Sequence, residues 1–371
     1  MWTTGFLILV AQLSADTSTA ATLEAQLAVR PTILDYELPG HPNTLGRGHV
    51  GLISEATLRY KPNPYVLVGA GVIGRLAFAL EQDEYAQALP IFFAEARPTA
   101  MKHFFMRFGT LRMQHGYHPA VIDEARHQIS RNIAETYNRS IPIEARRSSV
   151  PRQALPLEHG AQIVYEKSGF RGEMFLDWQL LETDDHREKF NFGILAEYDQ
   201  KWMKANLQFR LTHYGGQLFT QGDPIRFAQL DPVRQPETMA IVVHGRPVVL
   251  QNFVLELVSG AIAGHMIQEP LQTEAWHYGI ELGAQIKLHN SLELGYRYWF
   301  PKDSKAGFVS EDSEPTYNQG NSHKLVIGLN QNIGGIKIDG SLSLIVPEDK
   351  LDKVQYLAVT RVSYDIFYSL F

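Results

Sequence analysis

The chain contains no cysteine, which excludes disulfides, thiolate metal sites and catalytic thiols. Past the N-terminus it has no run of about 18 uninterrupted apolar residues, the length a membrane helix requires. It has no block of basic residues. The balance is 34 Lys+Arg against 40 Asp+Glu, net −6, so no nucleic acid is expected as a partner. Helical periodicity is scarce, and nothing alternates strand with helix as a nucleotide-binding α/β fold would. The first residues lack Lys and Arg, yet Gly5 to Leu13 is apolar and Ser18-Thr19-Ala20 is a small-x-small pattern. Residues 1–20 therefore read as a secretory signal peptide, and 21–371 as the mature chain.

What is present is alternation. In "KFNFGILAEY" Phe190, Phe192, Ile194, Ala196 and Tyr198 share one parity, against Lys189, Asn191, Gly193 and Glu197. In "MKANLQFRLT" Met203, Ala205, Leu207, Phe209 and Leu211 oppose Lys204, Asn206, Gln208, Arg210 and Thr212. "RGEMFLDWQLLE", "WHYGIELGAQIKL", "SLELGYRYWF" and "GIKIDGSLSLIV" behave likewise. Period two means strands with one apolar and one polar face. The runs last about ten to fourteen residues, the span a tilted strand needs to cross a bilayer rather than the five or six usual in a sandwich. Tight connections such as "KPNP", "KSGF", "YDQK" and "NIGG" alternate with longer polar ones. The 16 Tyr, 19 Phe and 5 Trp suit sheets and membrane-interface belts.

These features predict an all-β fold, a closed antiparallel transmembrane β-barrel of about sixteen strands, with fourteen as the fallback. The first strand is expected over about residues 22–35. Parity requires two strands within 214–266, placed near 239–248 and 251–265 with a turn near Arg246-Pro247 or just after. A closed barrel shows one face to lipid, so the polar face must line an interior. The expected pore-lining residues are Arg75, Arg107, Glu173, Asp177, Gln179, Lys189, Asn191, Lys204, Gln208, Arg210, Glu281, Lys287, Glu293 and Arg297.

Residues 111–159 break the pattern. Val121, Ala125, Ile129, Ile133 and Tyr137 lie four apart, an amphipathic helical stripe begun by Pro119. The segment carries seven arginines and no lysine. It reads as a long loop that either folds into the lumen as a constriction or packs on the outer rim. Arg126, Arg131, Arg139, Arg146 and Arg147 are its candidate contacts with solute or lipopolysaccharide.

The stretch "YVLVGAGVIGRLAFAL" contains Gly69-x-Gly71-x-x-Gly74, the spacing of a dinucleotide fingerprint, and Glu95 follows at the end of "IFFAEA". Its neighbours are hairpins, so the glycines read as one face of a strand. Gly74 has the opposite parity to Gly69 and Gly71, which predicts a local bulge there. His289-Asn290-Ser291 has the order of a base and a nucleophile, but it sits in a tight turn. His115, His118 and His127 beside Asp123 and Glu124 lack metal-ligand spacing and read as polar loop histidines. No metal and no cofactor are expected.

The chain ends "VTRVSYDIFYSLF". A terminal Phe closing an amphipathic strand resembles the sorting and assembly signal of bacterial outer-membrane barrels. With the signal-like start and the repeated strands, the whole mature chain resembles porin-like barrels of the Gram-negative outer membrane. The resemblance implies a location in that membrane. It implies outer-membrane lipids, lipopolysaccharide and the barrel assembly machinery as partners, and leaves a homo-oligomer open. The functional expectation is a porin-like channel for small polar solutes without catalytic activity. The alternatives are an outer-leaflet lipid hydrolase, which needs a nucleophile and base together at the lipid-facing rim, and a plugged structural or assembly barrel.

Overall fold

The structure is a computed structural model. It describes residues 21–37, 47–78, 85–98, 103–112, 115–122, 158–180, 188–215, 233–269, 273–289, 291–302, 317, 320–348 and 354–369. The signal-like residues 1–20 lie outside this set.

Sixteen antiparallel strands form one closed barrel, each hydrogen-bonded to its neighbours in sequence, with β16 closing on β1. The strands are β1 Thr22–Glu37, β2 Arg47–Asn63, β3 Val66–Phe78, β4 Tyr85–Ala96, β5 Phe104–Thr110, β6 His159–Lys167, β7 Phe170–Leu180 and β8 Glu188–Gln200. They continue as β9 Met203–Gly215, β10 Val233–Leu250, β11 Phe253–Glu269, β12 Thr273–Leu288, β13 Leu292–Pro301, β14 Ser322–Ile333, β15 Ile336–Pro347 and β16 Gln355–Ser369. Closure leaves no sheet edge to satisfy in lipid, which is why alternating sequence can span a bilayer without an apolar run.

The alternation resolves into two faces. Leu207, Ile241, Leu257 and Ile280 are each more than half exposed and point to lipid. Their neighbours Gln208, Val242, Glu256 and Glu281 are buried inside. Short turns such as Ser168-Gly169 and Lys201-Trp202 mark one end, the periplasmic end by the usual architecture of such barrels. Trp202 is exposed at one of these turns, with Phe170 and Tyr198 nearby in sequence on lipid-facing positions, as aromatic girdles require.

Two sequence expectations are corrected. Gly74 pairs with Ser54 and Ala88 in unbroken register, so no bulge forms there. A lipid-facing glycine leaves the ladder intact. Register shifts fall elsewhere, at Tyr60/Asn63, Trp178/Leu180 and Gly245/Val248, the last across Arg246-Pro247, because proline cannot donate to the ladder. The turn itself comes later, at Gln251-Asn252.

Gly69 has a packing reason. A Cβ there would stand 2.2 Å from the Phe93 ring, which lies across the glycine from β4. The spacing that resembles a phosphate loop therefore makes room for an aromatic ring on the inner wall.

The wall is lowest at β5 and β6, strands of 7 and 9 residues. β4 meets β5 only from Phe93 to Ala96. Above that, among the described residues, β4 pairs with β3 alone, and there Pro90 is tolerated.

Candidate functional site

The chain leaves β5 at Thr110 and turns inward. Leu111 N–H bonds to the Glu158 carbonyl at 2.8 Å, so the two arms of the long connection meet at its base. Arg112 N–H donates to Gln162 Oε1 at 3.1 Å. His115 is buried between two carboxylates, with Nε2 2.6 Å from Glu158 and Nδ1 against Glu173. Its ring stacks on Phe175 at 4.3 Å. Arg171 binds Glu173 and donates to the His115 carbonyl at 2.7 Å.

Further on, His118 N–H donates to Gln208 Oε1 at 2.7 Å, and its ring lies 3.5 Å from Glu281. The Tyr317 hydroxyl donates to the same carboxylate. A single turn, closed by Val121 and Ile122 N–H on the His118 carbonyl, follows at Pro119. The amphipathic helix expected beyond it lies outside the described residues, as do Arg126, Arg131, Arg139, Arg146 and Arg147.

Tyr117, Ala120, Val121 and Ile122 form a buried apolar cluster with Phe175, Leu195, Val242, Val258, Ile262 and Trp299. The segment thus packs on the inner wall from β7 to β13. Gly193 permits the approach, since a Cβ there would be 2.2 Å from Phe175 and 2.5 Å from the Tyr117 hydroxyl. Burial would push the His115 imidazole down, but Glu158 and Glu173 outweigh it and raise it to about 10. His115 is therefore a buried cation at neutral pH, paired on both sides. Burial, with Glu173 nearby, raises the Tyr117 phenol well above its usual value.

The opposite wall differs. There Arg30 lies 3.2 Å from Glu55 and 3.3 Å from Asp365, and Lys61 lies 2.7 Å from Glu24. Arg59 reaches Gln26 at 3.4 Å. These side chains are all partly exposed.

The predicted lining residues lie on β3, β5, β7 to β9, β12 and β13, none on the β16–β1–β2 wall. Glu173, Gln208 and Glu281 hold the inserted segment. Asp177 accepts the His159 backbone N–H at 2.9 Å, Gln179 at 3.0 Å and Asn191 at 3.5 Å. Lys189 and Arg210 are buried. Lys204 pairs with Glu197 at 2.7 Å. Arg297 sits 3.7 Å from Glu281. Glu293 is half-buried opposite Lys287 in register, and Lys287 reaches Glu256 at 3.2 Å. Arg75 occupies the rung between Ile53 and Gln87. Arg107 lies over the Phe93 ring at 3.7 Å.

Sequence reasoning missed several groups. His115 reads as a solvated loop histidine and is instead buried. Glu256 and Arg246 were not singled out, yet Arg246 at the bulge bridges Asp199 at 2.6 Å and Glu256 at 2.8 Å. The out-of-place Pro247 is the signal that could have found them. The His289-x-Ser291 order has no chemical meaning here. Ser291 Oγ donates to the His289 backbone carbonyl at 3.1 Å, and His289 adopts φ 51° as a turn residue.

One hydroxyl–imidazole pair does form. Thr110 and His159 are the last rung between β5 and β6, and Thr110 Oγ1 is 3.5 Å from His159 Nδ1. The same oxygen accepts the Phe92 N–H at 3.1 Å. His159 shares the parity of Ile163 and Tyr165, whereas Thr110 follows Gly109 at φ 92° and is buried. Tyr165 and Phe108 are exposed on the lipid side.

A closed sixteen-strand barrel with an apolar outer face defines an outer-membrane β-barrel of a Gram-negative bacterium. Two solved barrels agree in fold, and a third is similar. OmpT of Vibrio cholerae is 8% identical with a TM-score of 0.50, over 95% of this chain and 99% of that one. Its loop L8 deletion mutant gives 8% and 0.50, over 94% and 100%. An anion-selective porin from Comamonas acidovorans gives 10% and 0.49, over 94% and 99%. No curated protein sequence matches the chain. The family model for "Lipid A 3'-O-deacylase-type" proteins matches residues 40–228, just over half of the chain, and the chain belongs to that family. This corrects the expectation of a barrel without catalytic activity, because the family is one of enzymes. The expectation rested on the polar lining, which says nothing about the lipid-facing side.

Proposed function

We propose that this protein is an outer-membrane lipid hydrolase that cleaves an acyl ester of a lipid of the outer leaflet. The observation that carries the reading is the family match over residues 40–228, which contains both Thr110 and His159. Their pairing at the low point of the wall supports it. Thr110 is 4% exposed, so the hydroxyl–imidazole contact is shielded from water.

In this reading Thr110 Oγ1 attacks the ester carbonyl while His159 takes its proton. The tetrahedral intermediate expels the alcohol oxygen, which receives that proton from His159. The acyl-threonine is then cleaved by a water whose proton passes to His159, releasing the fatty acid and restoring both groups. Asp177 steadies His159 through its backbone N–H.

The test is mass spectrometry of lipid A from outer membranes containing the wild type, Thr110→Ala or His159→Ala. The wild type should remove an acyl chain, and either variant should slow this by about 100-fold or more with unchanged heat-modifiable gel migration. Intact lipid A with the wild type, or full activity in the variants, would sink the proposal.

A second reading, passage of small polar solutes, is favoured by the partly exposed ion pairs of the β1–β2–β16 wall. Single-channel conductance in planar bilayers tests it, and a silent barrel rejects it.

A further inference from the structure

Glu95, on the inner face near the periplasmic end of β4, is 1% exposed, and three arginines surround it. Arg97 clasps Oε1 through Nε at 3.1 Å and Nη2 at 2.8 Å. Arg112, on the inserted segment, donates to Oε2 at 2.8 Å. Arg107 stands 3.7 Å from the same oxygen and donates through Nε to the Thr110 carbonyl at 2.6 Å. Aromatic rings fix the guanidinium planes. Arg112 lies over Phe105 at 4.2 Å, Arg97 over Phe105 at 5.4 Å and Arg107 over Phe93 at 3.7 Å.

One carboxylate cannot neutralise three guanidiniums. Glu55 and Arg59, which also act on Arg107, oppose each other, so the four residues together carry two positive charges. The Arg97 and Arg112 side chains are 51% and 42% exposed. Among the described residues, Arg97 Nη1 and the Nε and Nη1 of Arg112 have no protein acceptor. Pre-oriented guanidinium edges of this kind match a tetrahedral or planar oxyanion. A group carrying nearly two negative charges, as a phosphate monoester does at neutral pH, balances the cluster better than a monocarboxylate.

We infer that Arg97, Arg107 and Arg112, organised on Glu95, form a lumenal binding site for a soluble phosphate-bearing solute. The site touches the Thr110–His159 pair only through the Arg107 bond to the Thr110 carbonyl. It faces water inside the barrel rather than lipid, and does not depend on the hydrolase reading.

The experiment is calorimetric titration of the folded full chain in detergent with inorganic phosphate, with acetate, and with phosphatidic acid in mixed micelles. Phosphate should bind at least about tenfold more tightly than acetate. Arg112→Gln and Arg97→Gln should each weaken it about tenfold, while Lys337→Gln, on the distant β15, leaves it unchanged. Heat-modifiable migration checks that each variant folds. Should Arg112→Gln not fold, phosphate protection of wild-type Arg97 and Arg112 from phenylglyoxal, read by peptide mass spectrometry, decides the matter, and absent protection rejects the site. Equal binding of phosphate and acetate, unchanged phosphate binding in both variants, or binding of phosphatidic acid without inorganic phosphate overturns the inference.

Discussion

The two walls of the lumen carry similar charges and use them differently. Where the inserted segment rests on β6–β13, ion pairs are buried and clamp a piece of chain, as His115 does between Glu158 and Glu173. Along β16–β1–β2 they are partly exposed and pair strand with strand, as Arg30 does between Glu55 and Asp365. A buried pair has lost its water, so removing one partner strands a charge and costs about 3–5 kcal/mol. An exposed pair is screened and contributes about 0–1 kcal/mol. The same residue types therefore act as a latch on one wall and as a hydrated lining on the other.

The sharpest way to break the contrast is Glu173→Ala against Glu55→Ala. Glu173 binds His115, Arg171 and Gln162 together. Its loss should cost about 3–5 kcal/mol in denaturant unfolding of the detergent-solubilised barrel. Glu55→Ala should stay within about 1 kcal/mol. Equal costs would show that burial does not separate the walls.

Gly193→Val comes next. The added side chain must displace Phe175 or Tyr117, an overpacking cost of about 1–3 kcal/mol. Faster protease cleavage between β5 and β6 is the expected readout, with Gly340→Val on β15, away from the inserted segment, as the control, where a Cβ meets only ordinary contacts.

A third effect depends on pH. The His115 imidazole is raised from 6.5 to about 10 by its two carboxylates. A raised folded value means the stabilisation is fully present below pH 6.5 and is lost as pH rises through about 10. Protease resistance of the β5–β6 connection should fall across that window in the wild type. His115→Gln should be less resistant at pH 6 and flat across the same window. A wild type whose resistance is constant from pH 6 to 10 would remove His115 as the latch.

The smallest effect is expected from Lys337→Gln. Lys337 pairs with Asp339 at 3.2 Å, with Lys337 exposed and Asp339 partly exposed. The change should leave stability within about 0.5 kcal/mol by the same unfolding assay.

Much of the barrel was legible because a strand's period of two writes its environment directly into the sequence. Phe190 to Tyr198 and Met203 to Leu211 assign lipid and lumen without any structure. Strand number and direction then follow from the alternation of tight and long connections. Where the period failed, so did the reading. Gly74 looked like a defect because the sequence cannot show that a lipid-facing glycine sits in an undisturbed ladder. Pro247 looked like a turn, whereas β10 continues past it by shifting register at Arg246-Pro247. The site was less legible still. Glu95 and Arg112 are 17 residues apart and meet only because the chain folds inward after Thr110. Thr110 and His159, 49 residues apart, face each other only as the last rung of two short strands.

By itself the sequence determined the architecture: sixteen amphipathic strands with no cysteine and no apolar helix can satisfy their backbone in lipid only by closing into a barrel. The tertiary structure alone decided which charges are buried. That depends on where residues 111–122 come to rest. Their position is set by contacts with β7 to β13 that no local pattern encodes.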